Sequence, residues 1–155
     1  ELDIPVFHDD QHGTAIIVGA AVVNAMEILG KPIEQVKLVS TGAGAAGIAC
    51  LDMLVRLGVR PEHIWVADRV GVIYRGRAEE MDADKERYAR DTSARQLSEI
   101  IEGADIFLGL SAGDVLKPEM VARMAPNPLI LALANPNPEI MPELAKSVRP
   151  DCIVA

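Results

Sequence analysis

Apolar residues along this chain form short runs that alternate with longer segments of mixed polarity. The runs are rich in Val, Ile and Leu, as expected of buried parallel strands, and the segments between them suit helices. The predicted strands are 36–40, 64–68, 106–110, 129–134 and 152–154. The predicted helices are 42–57, which opens with a glycine turn, 97–102, 118–124 and 141–147. This repeated strand–helix–strand order predicts an α/β fold with a doubly wound parallel sheet.

Two segments depart from the alternation. Residues 8–14 are predicted to be a polar loop, and 15–29 a long helix. That helix is almost uncharged, so we expect it to be buried on most sides. Residues 70–95 are a polar insertion, with a short hairpin predicted at 72–74 and a helix at 85–89.

The composition excludes several classes of function. The net charge is −8, so the chain lacks the basic stripe that nucleic acids or an anionic membrane surface would require. Asn24 and Glu27 interrupt the longest apolar stretch, so we expect no membrane span and a cytoplasmic location. Cys50 and Cys152 lie in apolar runs and are predicted to be core residues rather than a disulfide or a metal pair.

A glycine motif follows the first predicted strand. Its residues are Gly42, Ala43, Gly44, Ala45, Ala46 and Gly47, in the pattern G-x-G-x-x-G. In such a motif the glycines allow a tight turn, a close approach to a pyrophosphate and close helix packing. Asp68 ends the next strand, 21 residues after Gly47, where an acid would accept the ribose hydroxyls. Strand, motif, helix and acid together predict a Rossmann-type domain that binds NAD(P).

The chain begins at Glu1, and its last predicted strand ends one residue before the final residue. We therefore expect a segment of a longer protein. Residues 1–30 would link to a missing N-terminal domain, and 31–155 would be a dinucleotide-binding domain truncated at its C-terminal end. For the glycine motif at 42–47, the alternative to a dinucleotide-binding loop is a simple turn between a strand and a helix.

The sequence leaves the choice between NAD and NADP open. The carboxylate of Asp68 would repel a 2′-phosphate, but Arg69 follows directly and could pair with one. Arg75 and Arg77 are also near in sequence. All three arginines could equally belong to a solvated surface.

An acidic pair, Asp9 and Asp10, stands between an apolar lead and the first helix, with His8 and His12 beside it. Adjacent carboxylates repel each other, and burying one is costly unless a cation or hydrogen bonds compensate. Their hard oxygen ligands suit Mg²⁺ or Mn²⁺. A helix cap on a solvated turn is the alternative.

The motifs together resemble malic enzymes of the bacterial type. Residues 4–15 are similar to the metal-site signature of that family, and 42–47 match its nucleotide loop in order and spacing. Residues 71–77 resemble the segment after its second strand, and 133–136 its asparagine-containing loop. The resemblance covers essentially the whole chain.

The resemblance implies a role for each matching position. Asp10 is expected to bind the divalent metal and Asp9 to orient a catalytic lysine, although either aspartate could be the ligand. Neighbouring side chains in an extended stretch point to opposite sides, so we do not expect both to bind one ion. Asn135 is expected to contact nicotinamide and malate, or else to be a turn asparagine before proline. Ser111 is expected to border the nicotinamide.

The activity that the resemblance implies is the oxidation and decarboxylation of malate to pyruvate and CO₂, with reduction of NAD(P)⁺. The family's catalytic lysine and tyrosine would lie outside this chain, so we expect the chain alone to bind dinucleotide but not to turn over malate. The complete enzyme would be a homo-oligomer. The alternatives are another NAD(P)-dependent dehydrogenase, such as one acting on an amino acid, and a non-catalytic module that senses dinucleotide.

Overall fold

A computed structural model describes residues 3–155, and its elements follow the predicted order. The strands are β1 (Leu38–Thr41), β2 (Ile64–Asp68), β3 (Gly71–Val72), β4 (Ile106–Gly109), β5 (Leu129–Ala132) and β6 (Ile153–Val154). The helices are α1 (Thr14–Leu29), α2 (Ala45–Arg56), α3 (Ala83–Glu86), α4 (Leu97–Ile100), α5 (Pro118–Val121) and α6 (Pro142–Val148). Glu1 and Leu2, the start of the expected 1–30 segment, lie outside the described residues.

The strands form one sheet in the order β3-β2-β1-β4-β5-β6. β1 lies in the middle and pairs in parallel with β2 and β4, and β5 and β6 continue the parallel pairing. Among the strands of residues 3–155, only β3 is antiparallel, which the hairpin predicted at 72–74 anticipated within a residue or two. The strand order reverses direction between β1 and β4, and ligands of such sheets bind at this switch point, outside the carboxyl ends of the strands.

Helices cover both faces of the sheet, because its strand residues alternate between two apolar clusters. One face carries Leu38, Ile64, Val66, Ile106, Leu108, Leu129 and Leu131 and packs against α1 and α2. The other face carries Val39, Phe107 and Ile130 and packs against residues of α4, α5 and α6. Cys50 and Cys152 are buried and free, one in each cluster, as predicted. The predicted doubly wound α/β fold is confirmed.

The polar insertion differs in detail from its prediction. The helix expected at 85–89 begins at Ala83 and ends at Glu86, and the Asp82 side chain caps it by accepting from the Lys85 N–H. Tyr88 and Ala89, the last two residues of the predicted range, are buried in the core after the observed helix has ended.

The start of the chain departs further from prediction. The segment 8–14 is not an extended loop, because Asp9–Gly13 forms a π-helical turn that runs directly into α1. The expected burial of α1 on most sides is also wrong within the described chain: Ile17 is 70% and Ile28 is 76% exposed. Only one stripe of α1 packs against the rest of the domain.

The sequence predicted no membrane span. By length and composition alone, however, the helical stretch Asp9–Leu29 is long and apolar enough to cross a membrane. A core helix meets the same criteria, and the stripe of α1 on α2 shows core packing. Gly19 of α1 lies against Met53 and Leu57, whereas Ala15, one turn earlier, lines a shallow pocket together with Ala49, one turn earlier in α2. The two helices therefore run in the same direction, and both begin toward the carboxyl edge of the sheet.

Candidate functional site

A cavity of about 710 Å³ opens at the carboxyl ends of the central strands. It lies at the switch point between β1 and β4, where this class of fold binds ligands. Six of the predicted cofactor residues line it: Gly42, Ala43, Gly44, Asp68, Arg69 and Ser111. Ala45, Ala46 and Gly47 continue from this loop into the first turn of α2. Asn135 is not among the lining residues.

The glycine loop joins β1 to α2 and shapes one wall of the cavity. Gly42 has a φ of +94°, and a Cβ there would lie 2.3 Å from the Leu110 carbonyl oxygen, so only glycine fits this turn. Gly44 is the N-cap of α2, and a Cβ there would meet no atom of the chain within 4 Å. The chain's own packing therefore does not require glycine at position 44, and the bare backbone faces the cavity.

The N-terminus of α2 has no side-chain cap. The first N–H groups of an α-helix have no partner within the helix, and they carry a partial positive charge. Together with the bare backbone of Gly44, these groups make the end of the cavity suited to a phosphate.

Asp68 lies at the end of β2, and intramolecular partners occupy both of its carboxylate oxygens. Arg77 binds it through two parallel hydrogen bonds of 2.8 and 2.6 Å. The Lys85 ammonium donates at 3.1 Å and the Val70 N–H at 3.0 Å. A carboxylate offers about four acceptor positions, so these four bonds saturate it.

The electrostatics of this group follow from its burial and its partners. The Asp68 side chain is 8% exposed and that of Arg77 only 3%. Burial opposes ionisation of Asp68, but the hydrogen bonds from Arg77 and Lys85 outweigh it and lower the pKa of the carboxyl to about 2. The hydrogen bonds to Asp68 also raise the pKa of Arg77 above its ordinary value. Asp68 therefore stays ionised at neutral pH, with its charge balanced by cations.

The three nearby arginines have different environments. Arg69 lines the cavity with an 82% exposed side chain and pairs with Glu80, whose Oε2 accepts from its Nε at 2.8 Å. Arg75 is exposed and does not line the cavity. Arg77 is buried behind Asp68. The solvated-surface alternative thus suits Arg75, whereas Arg69 and Lys85 bring positive charge to the cavity beside Asp68.

Two residues at this edge of the sheet were not singled out from the sequence. Thr41, the last residue of β1, lines the cavity, and its buried hydroxyl has no hydrogen-bond partner within residues 3–155. The signal in the sequence that could have identified Thr41 was its position directly before Gly42. Glu139 is fully buried, and its oxygens accept from the backbone N–H groups of Ser111 and Ala134. Nothing in the local sequence distinguishes Glu139 from a surface glutamate.

The acidic pair lies at the chain's start, in the π-helical turn. Asp9 and Asp10 are both exposed, and neither forms an ion pair within the described part of the chain. Because the backbone here is helical, the assumption of an extended stretch that separated the two side chains is wrong. Across residues 3–155, no three His, Cys, Asp or Glu side chains are grouped to hold a metal ion. Two carboxylates suit a hard divalent ion, but they are only part of a site.

A family model described as malic enzyme, NAD binding domain, matches residues 11–150. The chain belongs to this family. It is 59% identical over 154 residues to the NAD-dependent malic enzyme of Rhizobium meliloti, with 99% of this chain and 20% of that protein covered. Identity to the NADP-dependent malic enzyme of Escherichia coli is 56%, over 99% of this chain and 20% of that protein. The resemblance inferred from the motifs is confirmed.

A solved structure of the NAD-dependent malic enzyme from Thermotoga maritima has the same fold, with a TM-score of 0.90 and 42% identity over 100% of this chain and 42% of that one. A glutamate dehydrogenase from Thermus thermophilus, 18% identical with a TM-score of 0.67, shares the fold alone. The chain spans about a fifth of the length of the curated relatives above. Relatives named for NAD and for NADP match almost equally well, so similarity does not decide the cofactor.

Proposed function

We propose that the cavity binds NAD(P)⁺ and that this chain is the cofactor-binding part of a malic enzyme, which converts malate to pyruvate and CO₂. The observation that carries this proposal is the position of the glycine loop. Gly42 and Gly44 present bare backbone and the uncapped start of α2 to a cavity at the switch point of the sheet. Family membership adds the reaction, which geometry alone would leave open.

The pyrophosphate would lie along residues 42–47, at the N-terminus of α2. The adenosine ribose would lie toward the end of β2, near Asp68 and Arg69. Since four bonds already saturate Asp68, the cations at this wall that would meet a 2′ substituent are Arg69, which pairs with Glu80, and Lys85, which donates to Asp68. These cations favour a 2′-phosphate, while Asp68, Glu80 and Asp82 at the same wall oppose it, so both NAD⁺ and NADP⁺ remain candidate cofactors.

The nicotinamide would lie at the end of the cavity near β4, where Ser111 lines the wall. Asn135 follows β5, the next strand of the sheet, and would reach nicotinamide and malate from there. When bound, NAD(P)⁺ would supply the hydride acceptor for the oxidation of malate, and a divalent ion would supply the positive charge that favours the loss of CO₂. The part of this chain is to hold and orient the cofactor.

Asp10 would contribute one carboxylate to a Mg²⁺ or Mn²⁺ site, and Asp9 would orient a lysine. Both side chains are exposed, and the turn that carries them begins a helix directed like α2. The remaining ligands, the lysine and a proton-donating tyrosine would come from outside this chain. The chain alone would therefore bind dinucleotide without oxidising malate, and the complete enzyme would be a homo-oligomer.

The binding part is tested by titrating the 155-residue chain with NADH and NADPH and following nucleotide fluorescence. We expect saturable binding of at least one of them, and displacement by ADP-ribose. Absence of binding would contradict the assignment of the cavity.

The catalytic part requires the complete protein. We expect Asp10→Asn to abolish Mn²⁺-dependent formation of NAD(P)H from malate while leaving NADH binding intact. Asp3→Asn, an exposed aspartate in the same lead, is the matched control and should keep full activity. Full activity of D10N that does not need added Mn²⁺ would favour a metal-independent dehydrogenase, and dinucleotide binding without any metal effect would favour a sensing module.

A further inference from the structure

Glu139 is a buried carboxylate that the proposed function leaves without a role. Its exposed fraction is 0%. It lies between the ends of two neighbouring strands: the Ser111 N–H donates to Oε1 at 2.9 Å, and the Ala134 N–H donates to Oε2 at 3.1 Å. The ion pairs found in residues 3–155 do not include it. Burying a carboxylate between neutral donors costs free energy, so its presence here calls for a physical reason.

The surrounding backbone is shaped around this side chain. Gly109 is the last residue of β4, and a Cβ there would lie 2.3 Å from the Glu139 carboxyl carbon. The Glu139 main chain is also anchored, since its carbonyl accepts from the Leu116 N–H at 3.0 Å. The carboxylate thus occupies a space that the end of β4 keeps open for it.

We propose that Glu139 is a positioning residue that sets the spacing between Ser111 and Asn135, and so shapes the nicotinamide end of the cavity. One carboxylate oxygen holds the backbone of Ser111, which lines the cavity. The other holds Ala134, the residue directly before Asn135. This inference rests on the proposed function, because it presumes that a dinucleotide occupies the cavity.

The chemistry of the pair explains why a carboxylate is needed. Two N–H donors converge on one side chain, and a carboxylate offers each donor an oxygen. A glutamine of the same size has one carbonyl oxygen, so its NH₂ group would face the second N–H. Glu139→Gln therefore releases one of the two loops without changing the volume of the side chain.

The two halves of a dinucleotide separate this role from general stability. ADP-ribose lacks nicotinamide and needs only the glycine loop and the end of β2, whereas NADH also needs the Ser111 end. We expect E139Q to weaken NADH binding about tenfold, because binding would then have to order the released loop at a cost of about one charge-assisted hydrogen bond. ADP-ribose binding should stay within about twofold of the unsubstituted chain.

The experiment compares the 155-residue chain with E139Q by titrating each with NADH and with ADP-ribose. Glu143→Gln is the matched control, because Glu143 is an exposed glutamate on the neighbouring helix, and it should change neither affinity. Gly109→Ala should reproduce the E139Q pattern, because its Cβ displaces the carboxylate. Unchanged NADH affinity, or an equal loss for both ligands, would overturn the inference. If the unsubstituted chain binds neither ligand, the proposed function itself is wrong and this inference falls with it.

The unsubstituted chain provides a second measurement if the variants do not fold. Amide hydrogen exchange at Ser111 and Ala134 should be slow in the free chain and slow further with NADH. ADP-ribose should leave exchange at both amides unchanged. Equal protection by the two ligands would contradict a role at the nicotinamide end.

Discussion

Replacing Asp68 by Asn tests the buried ion-pair network at the end of β2. The carboxyl has a pKa of about 2 in the folded chain against an ordinary value of 3.8. That difference corresponds to about 2 kcal/mol of folding free energy at neutral pH. Asparagine keeps the shape but leaves Arg77, 3% exposed, without its counter-charge, which adds to the cost. We expect D68N to lower the free energy of unfolding by about 2–4 kcal/mol.

The pH dependence has a defined sign. A carboxyl whose pKa is lowered by folding stabilises the native state above its unfolded pKa, and that contribution is lost as the pH falls through its folded pKa. For Asp68 this contribution to stability is therefore lost as the pH falls from about 4 to about 2. The stability gap between the unsubstituted chain and D68N should narrow by about 1 kcal/mol between neutral pH and a pH of about 3.

Urea unfolding followed by circular dichroism, repeated over a series of pH values, measures both quantities. Asp91→Asn is the matched control, because Asp91 is exposed and outside the network, and it should stay within about 0.5 kcal/mol. A D68N chain as stable as the unsubstituted one at neutral pH would refute the reasoning. So would a gap that does not change with pH.

The remaining predictions concern the cavity wall. Gly44 has an ordinary backbone conformation and open space for a Cβ, so the Tm of Gly44→Ala should not change. Its NADH affinity, measured by fluorescence, should fall about tenfold because the Cβ would meet the pyrophosphate. Unchanged affinity would place the phosphates elsewhere. Gly42→Ala forces a Cβ against a carbonyl at positive φ, and urea unfolding should show a loss of about 2 kcal/mol or more; an unchanged urea midpoint would contradict this. Lys85→Gln removes a cation beside Asp68, so NADP⁺ affinity should fall by more than NAD⁺ affinity in parallel titrations; equal losses would show that Lys85 does not meet the 2′ position.

The sequence by itself determined the fold class, the glycine loop and the family. These features are encoded locally: apolar runs for strands, glycines at fixed spacing, and an acid at the end of β2. Such signals depend on a few neighbouring residues, so they can be recognised before any packing is known. The doubly wound parallel arrangement followed because strand–helix–strand units have a strongly preferred handedness.

Only the tertiary structure decided how the charged groups are used. The sequence assigned Asp68 to the ribose hydroxyls, but it did not show that Arg77, Lys85 and the Val70 N–H would bind its carboxylate. The sequence also predicted that Asp9 and Asp10 are part of an extended stretch, whereas both lie in a helical turn that runs into α1. Glu139 was missed because its partners, Ser111 and Ala134, follow different strands. Hydrogen-bond saturation and burial depend on which distant groups converge in space, and no local pattern in the sequence carries that information.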